Sequence, residues 1–487
     1  MFKTLLNINS TLVVFAVLFL ILKVVFIFLS GPLPDEAYYW LWSKQPELSF
    51  YDHPPLTSWL QYLLSFVIPY NILQIRALPF LCFLLILSIN ISWMKEIQEA
   101  ENIEVLKGSV IFLSIPLYGI FLTIAFPDAL MILCLFSSGF LFYKFYSTIL
   151  QGHTNYKYWY LSTFCFSLAC MTKYNAIVFG VGILVFIWSR KSALRQIFWS
   201  RHLVFAIFIF LFSQIPVLVW NLEYQFTSFE FHLDKRLDKE LSLFGFIKNI
   251  TTFILATAFS LSPLAIFKLY IMRGKKLINE ANEYAISCAY YVLIVTIIFC
   301  IILSLFTNVL YYWSVVGFVL FLPFLSMLFR RTWELIFQLF YGFFFLFLLT
   351  INSAFIPITI FFGNVDRETA IIHEWEKVVE QISNFKHKFQ INYILFTDYR
   401  IASLYSFHAK DQNVDTVMRD RETQFDIWRS QRKFYPENSL IISDDDFPIH
   451  ERLKPLFKEI EYLGQIQTTR YNRNLKDFKV YLAKRQN

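Results

Sequence analysis

The sequence predicts a mainly α-helical polytopic membrane protein of about eleven transmembrane helices, followed by a small C-terminal extracytoplasmic α/β domain. Three observations predict it. Of the 487 residues, 57% are hydrophobic and only 16% charged, whereas an average soluble domain carries about 25% charged residues. Phe occurs 57 times against 13 Gly, which suits wide apolar surfaces facing lipid tails. Apolar runs near the ~20 residues that cross a hydrocarbon core recur as far as residue 361. In lipid such runs must be helical, because a helix satisfies its own backbone hydrogen bonds.

The expected spans are about 11–30, 75–94, 108–126, 129–149, 158–173, 175–189, 203–221, 245–271, 283–307, 310–329 and 333–361. The first is read as a retained span, since Pro-Leu-Pro-Asp-Glu follows it where a small-residue cleavage site would stand. Cys82, Cys134, Cys165, Cys170, Cys288 and Cys300 all lie in apolar runs without metal-ligand spacing, so they read as small packing residues and disulfides are not expected.

Charge sets the expected sidedness. Residues 363–487 hold 20 basic and 19 acidic residues, which leaves 23 of the 43 basic and 17 of the 36 acidic residues in the membrane part. The net charge of +7 therefore belongs to the spans' loops and does not imply a nucleic-acid partner. With the N-terminus cytoplasmic, inward loops collect Lys95 and Lys107, Lys144 and Lys157, Arg190 to Arg201, Arg273 to Lys276, and Arg330 with Arg331. The first outward loop, 31–74, holds only Lys44. An odd number of spans then places residues 362–487 outside. Two domains result: 1–361, transmembrane and catalytic, and 362–487, soluble. In the latter, helices are expected over 367–384 and 399–408 and strands over 392–397, 439–443 and 478–482, giving a mixed sheet with helices packed on it. Asp444, Asp445 and Asp446 read as a solvated turn, with a cation site as the alternative.

The residues that can carry chemistry gather on the outward side. Asp35 and Glu36 follow Pro34 and open a helix-like stretch, where an acid pair also fits simple capping. Tyr38, Tyr39, Trp40 and Trp42 after them suit an aromatic belt at the membrane–water interface. Asp52 and His53 precede Pro54 and Pro55, and Leu56 to Val67 resembles an amphipathic surface helix. A carboxylate beside an imidazole can hold a metal, orient a proton shuttle or meet a phosphate. Asp128 lies between two apolar spans. Lys173, near the outer end of the fifth span, can snorkel or mark a site. Asn221 ends Pro-Val-Leu-Val-Trp-Asn, and the outward cluster Lys235, Arg236 and Lys239 breaks the sidedness pattern. An anionic ligand explains such an exception, because Arg grips phosphate through two parallel hydrogen bonds.

These residues carry a resemblance. The chain is similar to the bacterial dolichyl-phosphate-mannose-protein mannosyltransferase-like branch of the GT-C glycosyltransferases, which also resembles the lipid A aminoarabinose transferase. The likeness runs through DEAYYW and YDHPPL, FPDALMIL, SLACMTKYNA, PVLVWN with SFEFHLDKR, and in the tail FTDYRIASLYSF and QFDIW. It implies a transferase taking a sugar from a polyprenyl-phosphate carrier at the extracytoplasmic face, by inverting displacement. The family's acidic pair maps onto Asp35 and Glu36, with Asp35 as base, and its second acidic motif onto Asp128. Asp52, His53, Lys173, Asn221 and Arg236 map onto substrate and phosphate contacts. Where the lipid A transferase has lysine, this chain has His53, so a fixed charge becomes a titratable one. Relatives have His or Asn before the Trp of the tenth span, where this chain reads Tyr311-Tyr312-Trp313.

The expected function is thus a membrane glycosyltransferase of a bacterial inner membrane, acting on a lipid A, glycolipid or protein acceptor. No cofactor is required by the sequence, and a divalent metal at Asp52 and His53 stays open. The alternative, a flippase or transporter of lipid-linked sugars, is expected to show an internal repeat and charges near the midplane. The sequence has no fixed-period repeat, and its charges gather at one face.

Overall fold

The computed structural model describes residues 8–98, 101–190, 194–235, 242–273, 280–363, 366–432 and 438–485. The chain divides into two compact units. One comprises Met1–Val24, His53–Thr57 and Arg76–Leu348; the other comprises Val25–Asp52, Ser58–Ile75 and Leu349–Asn487. Most of the loop after the first span therefore folds with the tail.

Seven helices among the described residues are long and apolar enough to cross a membrane: Ile8–Leu29, Ile72–Ile97, Pro127–Leu150, Leu243–Leu261, Glu280–Ser304, Tyr311–Leu328 and Thr332–Phe355. Arg201–Ser213 and Ile215–Glu223, bent by 46° at their junction, make an eighth if counted as one span. The chain is a multi-pass membrane protein. The difference from the eleven expected runs has visible causes. Pro116 divides the third run into helices Asn102–Ser114 and Pro116–Phe121, because proline lacks the N–H a continuing helix needs. Pro263 shortens the eighth run in the same way, leaving Leu243–Leu261 as its span and Pro263–Met272 as a separate short helix. The fifth is a helix of only 15 residues, Tyr156–Cys170, about 22 Å long at 1.5 Å per residue.

Small residues let these helices approach closely. Gly342 faces the Ser114 carbonyl so tightly that a Cβ there would lie 1.9 Å from the oxygen. One turn away, Gln338 Nε2 donates to Ser114 O at 3.3 Å and to its Oγ at 3.1 Å. This is the arrangement expected of membrane helices, which gain from close backbone packing and interhelical hydrogen bonds. The six cysteines are free.

In the other unit, a five-stranded sheet has the order β2-β1-β3-β5-β4. The strands are β1 Ile394–Phe396, β2 Val414–Thr416, β3 Asn438–Ser443, β4 Phe457–Arg470 and β5 Arg473–Arg485. β1 pairs in parallel with β2 and β3, whereas β5 runs antiparallel to β3 and β4. Helices Tyr399–Ala409 and Gln424–Arg432 make the crossovers between the parallel strands. Asp398 caps the first of them by accepting from Arg400 N at 3.2 Å. β4 and β5 form a hairpin whose two turn residues, Tyr471 and Asn472, have φ of 51° and 58°, the left-handed pair required by the tightest hairpin turn. The expected 367–384 helix is instead a short turn, Arg367–Ala370, and a helix Trp375–Phe389. The expected strands 392–397, 439–443 and 478–482 fall on β1, β3 and β5; β2, β4 and the Gln424–Arg432 helix are additional. Asp445 pairs with Lys479 at 2.6 Å and Asp446 with Lys476 at 2.5 Å, so the triple-aspartate run is an ion-paired turn.

Gly342→Ala tests the helix contact. The added methyl must displace a backbone carbonyl, so destabilisation of about 1–3 kcal/mol is expected, read as a lower melting temperature in detergent. Gly245→Ala, where the added Cβ would meet only the Ser242 side chain at an ordinary contact distance of 3.6 Å, is the control for glycine removal as such.

Candidate active site

The Asp35 site is assembled from the helix Pro34–Lys44 and the tail. Pro34 occupies the first helical turn, where its missing N–H costs nothing. Glu36 accepts from the backbone N–H of Leu33 at 2.8 Å, closing the helix start, and is fully buried. Asp35 Oδ1 accepts from the Tyr399 hydroxyl at 3.1 Å. Asp35 as a residue is half-buried, and its carboxyl sits in densely packed surroundings. Burial pushes its pKa up to about 6, against the lowering influence of Arg400 and of the Tyr399 hydrogen bond; Glu368 and Asp52 push the same way as burial. Among the described residues no cation forms an ion pair with it.

Asp52, by contrast, is gripped. Arg421 Nη2 donates to Oδ1, and the Tyr38 hydroxyl donates to Oδ2 at 3.0 Å. Burial alone would lower the pKa of Arg421, but Asp52 and the phenols around it carry it above its ordinary range. The same Tyr38 hydroxyl accepts from Gln424 N at 2.8 Å. Gln424 Oε1 accepts from Tyr51 N at 2.9 Å, and Glu47 accepts from Gln424 Nε2 at 3.1 Å and from Trp428 Nε1 at 2.9 Å. Tyr38, Tyr39, Trp40 and Trp42 are buried, so they are the core of this unit and not an exposed belt. Tyr38 packs on Tyr399 with ring centroids 4.6 Å apart. Burial raises the pKa of both phenols, keeping them protonated donors.

A second cluster forms in the other unit. Lys173 Nζ donates to both oxygens of Asp128, at 2.9 and 2.8 Å, with the side chains 8% and 1% exposed. The ammonium also lies 4.7 Å from the centroid of Tyr312. Two residues read separately from the sequence thus neutralise each other. Leu56 N donates to Met171 O at 3.0 Å, bringing the His53-Pro-Pro-Leu segment beside Lys173. His53 stacks with His232 at 6.2 Å between centroids, and His232 meets Tyr174 edge-on at 5.1 Å. Asn221 is buried and its Nδ2 donates to Val217 O at 2.9 Å within its own helix. Arg236, with Lys239, lies outside the described residues.

Four partners escaped the site reading. Tyr399, Arg400 and His232 sit inside the quoted motifs but carried no assignment; Arg421 sits three residues before the last motif. The signal available was the spacing of these tail motifs. Among the described residues no group of three or more His, Cys, Asp or Glu is placed to hold a metal. Asp52 spends its oxygens on Arg421 and Tyr38, a donor set that does not fit a cation.

This chain superimposes on ArnT from Cupriavidus metallidurans in the apo state with a TM-score of 0.65, at 12% identity, over 98% of each chain. Its fold is the GT-C fold. The same ArnT bound to undecaprenyl phosphate matches with a TM-score of 0.64 at 12% identity, over 97% of this chain and 98% of that one. The archaeal oligosaccharyltransferase AglB from Archaeoglobus fulgidus, in complex with an inhibitory peptide and a dolichol-phosphate, has a TM-score of 0.46 at 9% identity, over 88% of this chain and 69% of that one. Residues 52–220 match the family described as dolichyl-phosphate-mannose-protein mannosyltransferase, a stretch holding Asp52, His53, Asp128 and Lys173. A sequence comparison with curated proteins gives no match.

The Asp128–Lys173 pair invites a double-mutant cycle. Lys173→Met leaves a buried carboxylate uncompensated and is expected to cost about 3–5 kcal/mol. Asp128→Asn combined with Lys173→Met removes both charges and should recover most of that stability. Melting in detergent reads both; additive losses would show that the pair is not coupled.

Proposed function

We propose that this protein is an integral membrane glycosyltransferase that moves a sugar from a polyprenyl-phosphate carrier to a lipid A, glycolipid or protein acceptor, with inversion at the anomeric carbon. The observation that carries the reading is Asp35: a carboxylate raised to about 6, oriented by Tyr399, beside a second carboxylate held by Arg421. A catalytic base works best with a pKa near the operating pH, and two acids in unlike surroundings take unlike roles. The ArnT-like fold, with undecaprenyl phosphate bound in one of the matched structures, supports a lipid-linked donor.

In this mechanism Asp35 accepts the proton of the acceptor hydroxyl as that oxygen attacks the anomeric carbon. The bond from that carbon to the carrier phosphate breaks, and the phosphate leaves with the electron pair. Cations aimed at the growing charge lower the barrier; Lys173, His53 and Arg236 are the proposed contributors, with Asn221 lining the donor site. Lys173 would exchange part of its hold on Asp128 for the phosphate, which keeps each buried charge compensated. Glu36 fixes the start of the helix that carries Asp35, and Asp52 with Arg421 fixes the end of the loop. Where the acceptor is itself a phosphate, no strong base is needed and Asp35 orients it. The basic-residue bias supports an extracytoplasmic reaction, in this reading at a bacterial inner membrane.

Purified protein in lipid nanodiscs, supplied with polyprenyl-phosphate sugars, tests the reaction. Asp35→Asn is expected to lower kcat by roughly 10²–10⁴-fold; unchanged transfer would remove Asp35 from its role. The acid limb of the wild-type pH profile is expected near 6, since the base functions above its pKa and is lost as protonation occurs below it. Mass spectrometry of membrane glycolipids and surface glycoproteins, with and without the gene, identifies the acceptor.

Stability gives an independent reading. A carboxyl raised from 3.8 to about 6 on folding binds its proton more tightly in the native state, so native stability falls as pH rises through that window. Asp35→Asn keeps an acceptor for Tyr399 without the charge. Its melting temperature is therefore expected to exceed the wild type's at pH 8 by more than at pH 5.

A further inference from the structure

A cavity of about 690 Å³ opens between the helix Pro263–Met272 and the segment running from Met327 to Glu334. Its lining combines three cations, Lys268, Arg330 and Arg331, with one carboxylate, Glu334. That carboxylate is already committed: Lys268 Nζ pairs with Oε1, and the backbone N–H of Arg331 donates to Oε2 at 3.3 Å. Glu334 is 3% exposed, so it serves as the buried floor. Among the described residues no carboxylate pairs with the guanidinium of Arg330 or Arg331, and both side chains are exposed. The remaining wall is apolar and also exposed: Phe267 at 56%, Ile271 at 40% and Trp333 at 58%.

We propose that this cavity binds an anionic phospholipid, its phosphate held by Arg330 and Arg331 and an acyl chain laid against Phe267 and Ile271. Both guanidinium groups, with no carboxylate bonded to them among the described residues, flank the start of the Thr332–Phe355 span, the end of a membrane helix that meets the headgroup layer. A basic pocket between membrane helices selects anionic headgroups, at about 1 kcal/mol per cation. Arg matches the oxygens of a phosphate through paired N–H groups. Trp333 has the amphipathic ring that anchors at headgroup depth. A soluble anion would use the cations and leave the apolar wall bare, whereas a phospholipid covers both. None of these residues belongs to the proposed catalytic machinery, so the site stands independently of the glycosyltransferase reading.

The test uses the full-length protein in detergent, titrated with phosphatidylglycerol, with phosphatidylcholine of the same chains, and with inorganic phosphate, while melting temperature and retained lipid by native mass spectrometry are followed. Phosphatidylglycerol is expected to stabilise and to be retained, and the other two are not. Arg330→Gln with Arg331→Gln is expected to weaken the apparent affinity for phosphatidylglycerol roughly thirtyfold, which is about 1 kcal/mol for each cation. If that double variant is not recovered folded, each single substitution reports the same loss in part. Equal responses to the two lipids, an equal response to inorganic phosphate, or an unchanged affinity in the variants would overturn the proposal.

Discussion

The hydroxyl of Tyr38 donates to Asp52 and accepts the backbone N–H of Gln424. That one group joins the helix bearing Asp35, the end of its loop and the crossover helix of the tail. Around it, Arg421 grips Asp52, Gln424 holds the backbone of Tyr51, and Tyr399 packs its ring on Tyr38 while bonding Asp35. The tail is thus part of what positions the acidic loop. A buried phenol that both donates and accepts leaves little freedom to its neighbours, since each loose end would be a desolvated polar group.

The two carboxylates most exposed to attention in the sequence meet opposite fates. Asp128 lies in a membrane unit where an isolated charge is expensive, and it is compensated in full by Lys173. Asp35 has a phenol where Asp128 has an ammonium. The difference has a chemical consequence, because a carboxylate fully neutralised by a cation gives up its affinity for a proton, whereas one bonded to a phenol keeps more of it.

Much of this architecture was legible in advance. Composition gave the membrane class, and the order of DEAYYW, YDHPPL, FPDALMIL and SLACMTKYNA picked out Asp35, Asp52, His53, Asp128 and Lys173. What stayed hidden were the partners. Tyr399 and Arg421 lie more than 360 positions from the acids they bind, and nothing local in a single sequence links such positions. The aromatic run after Asp35 was ambiguous for another reason. Tyr and Trp suit a membrane interface and a hydrogen-bonded core equally well, and only the tail's presence decides between them. Proline and helix length explain the span count: a hydropathy average reads through Pro116, while the backbone does not, and Tyr156–Cys170 and Tyr174–Ser189 are apolar but short.

β4 escaped notice because its sequence, FKEIEYLGQIQTTR, lacks the apolar alternation of a half-buried strand. It lies at the edge of the sheet, and Lys458, Glu459 and Glu461 project into solvent. An edge of 14 residues without a further strand among the described residues is a template on which another chain can add, and charged side chains are how proteins discourage it. The polarity that conceals this strand from sequence reading is therefore its protection against aggregation.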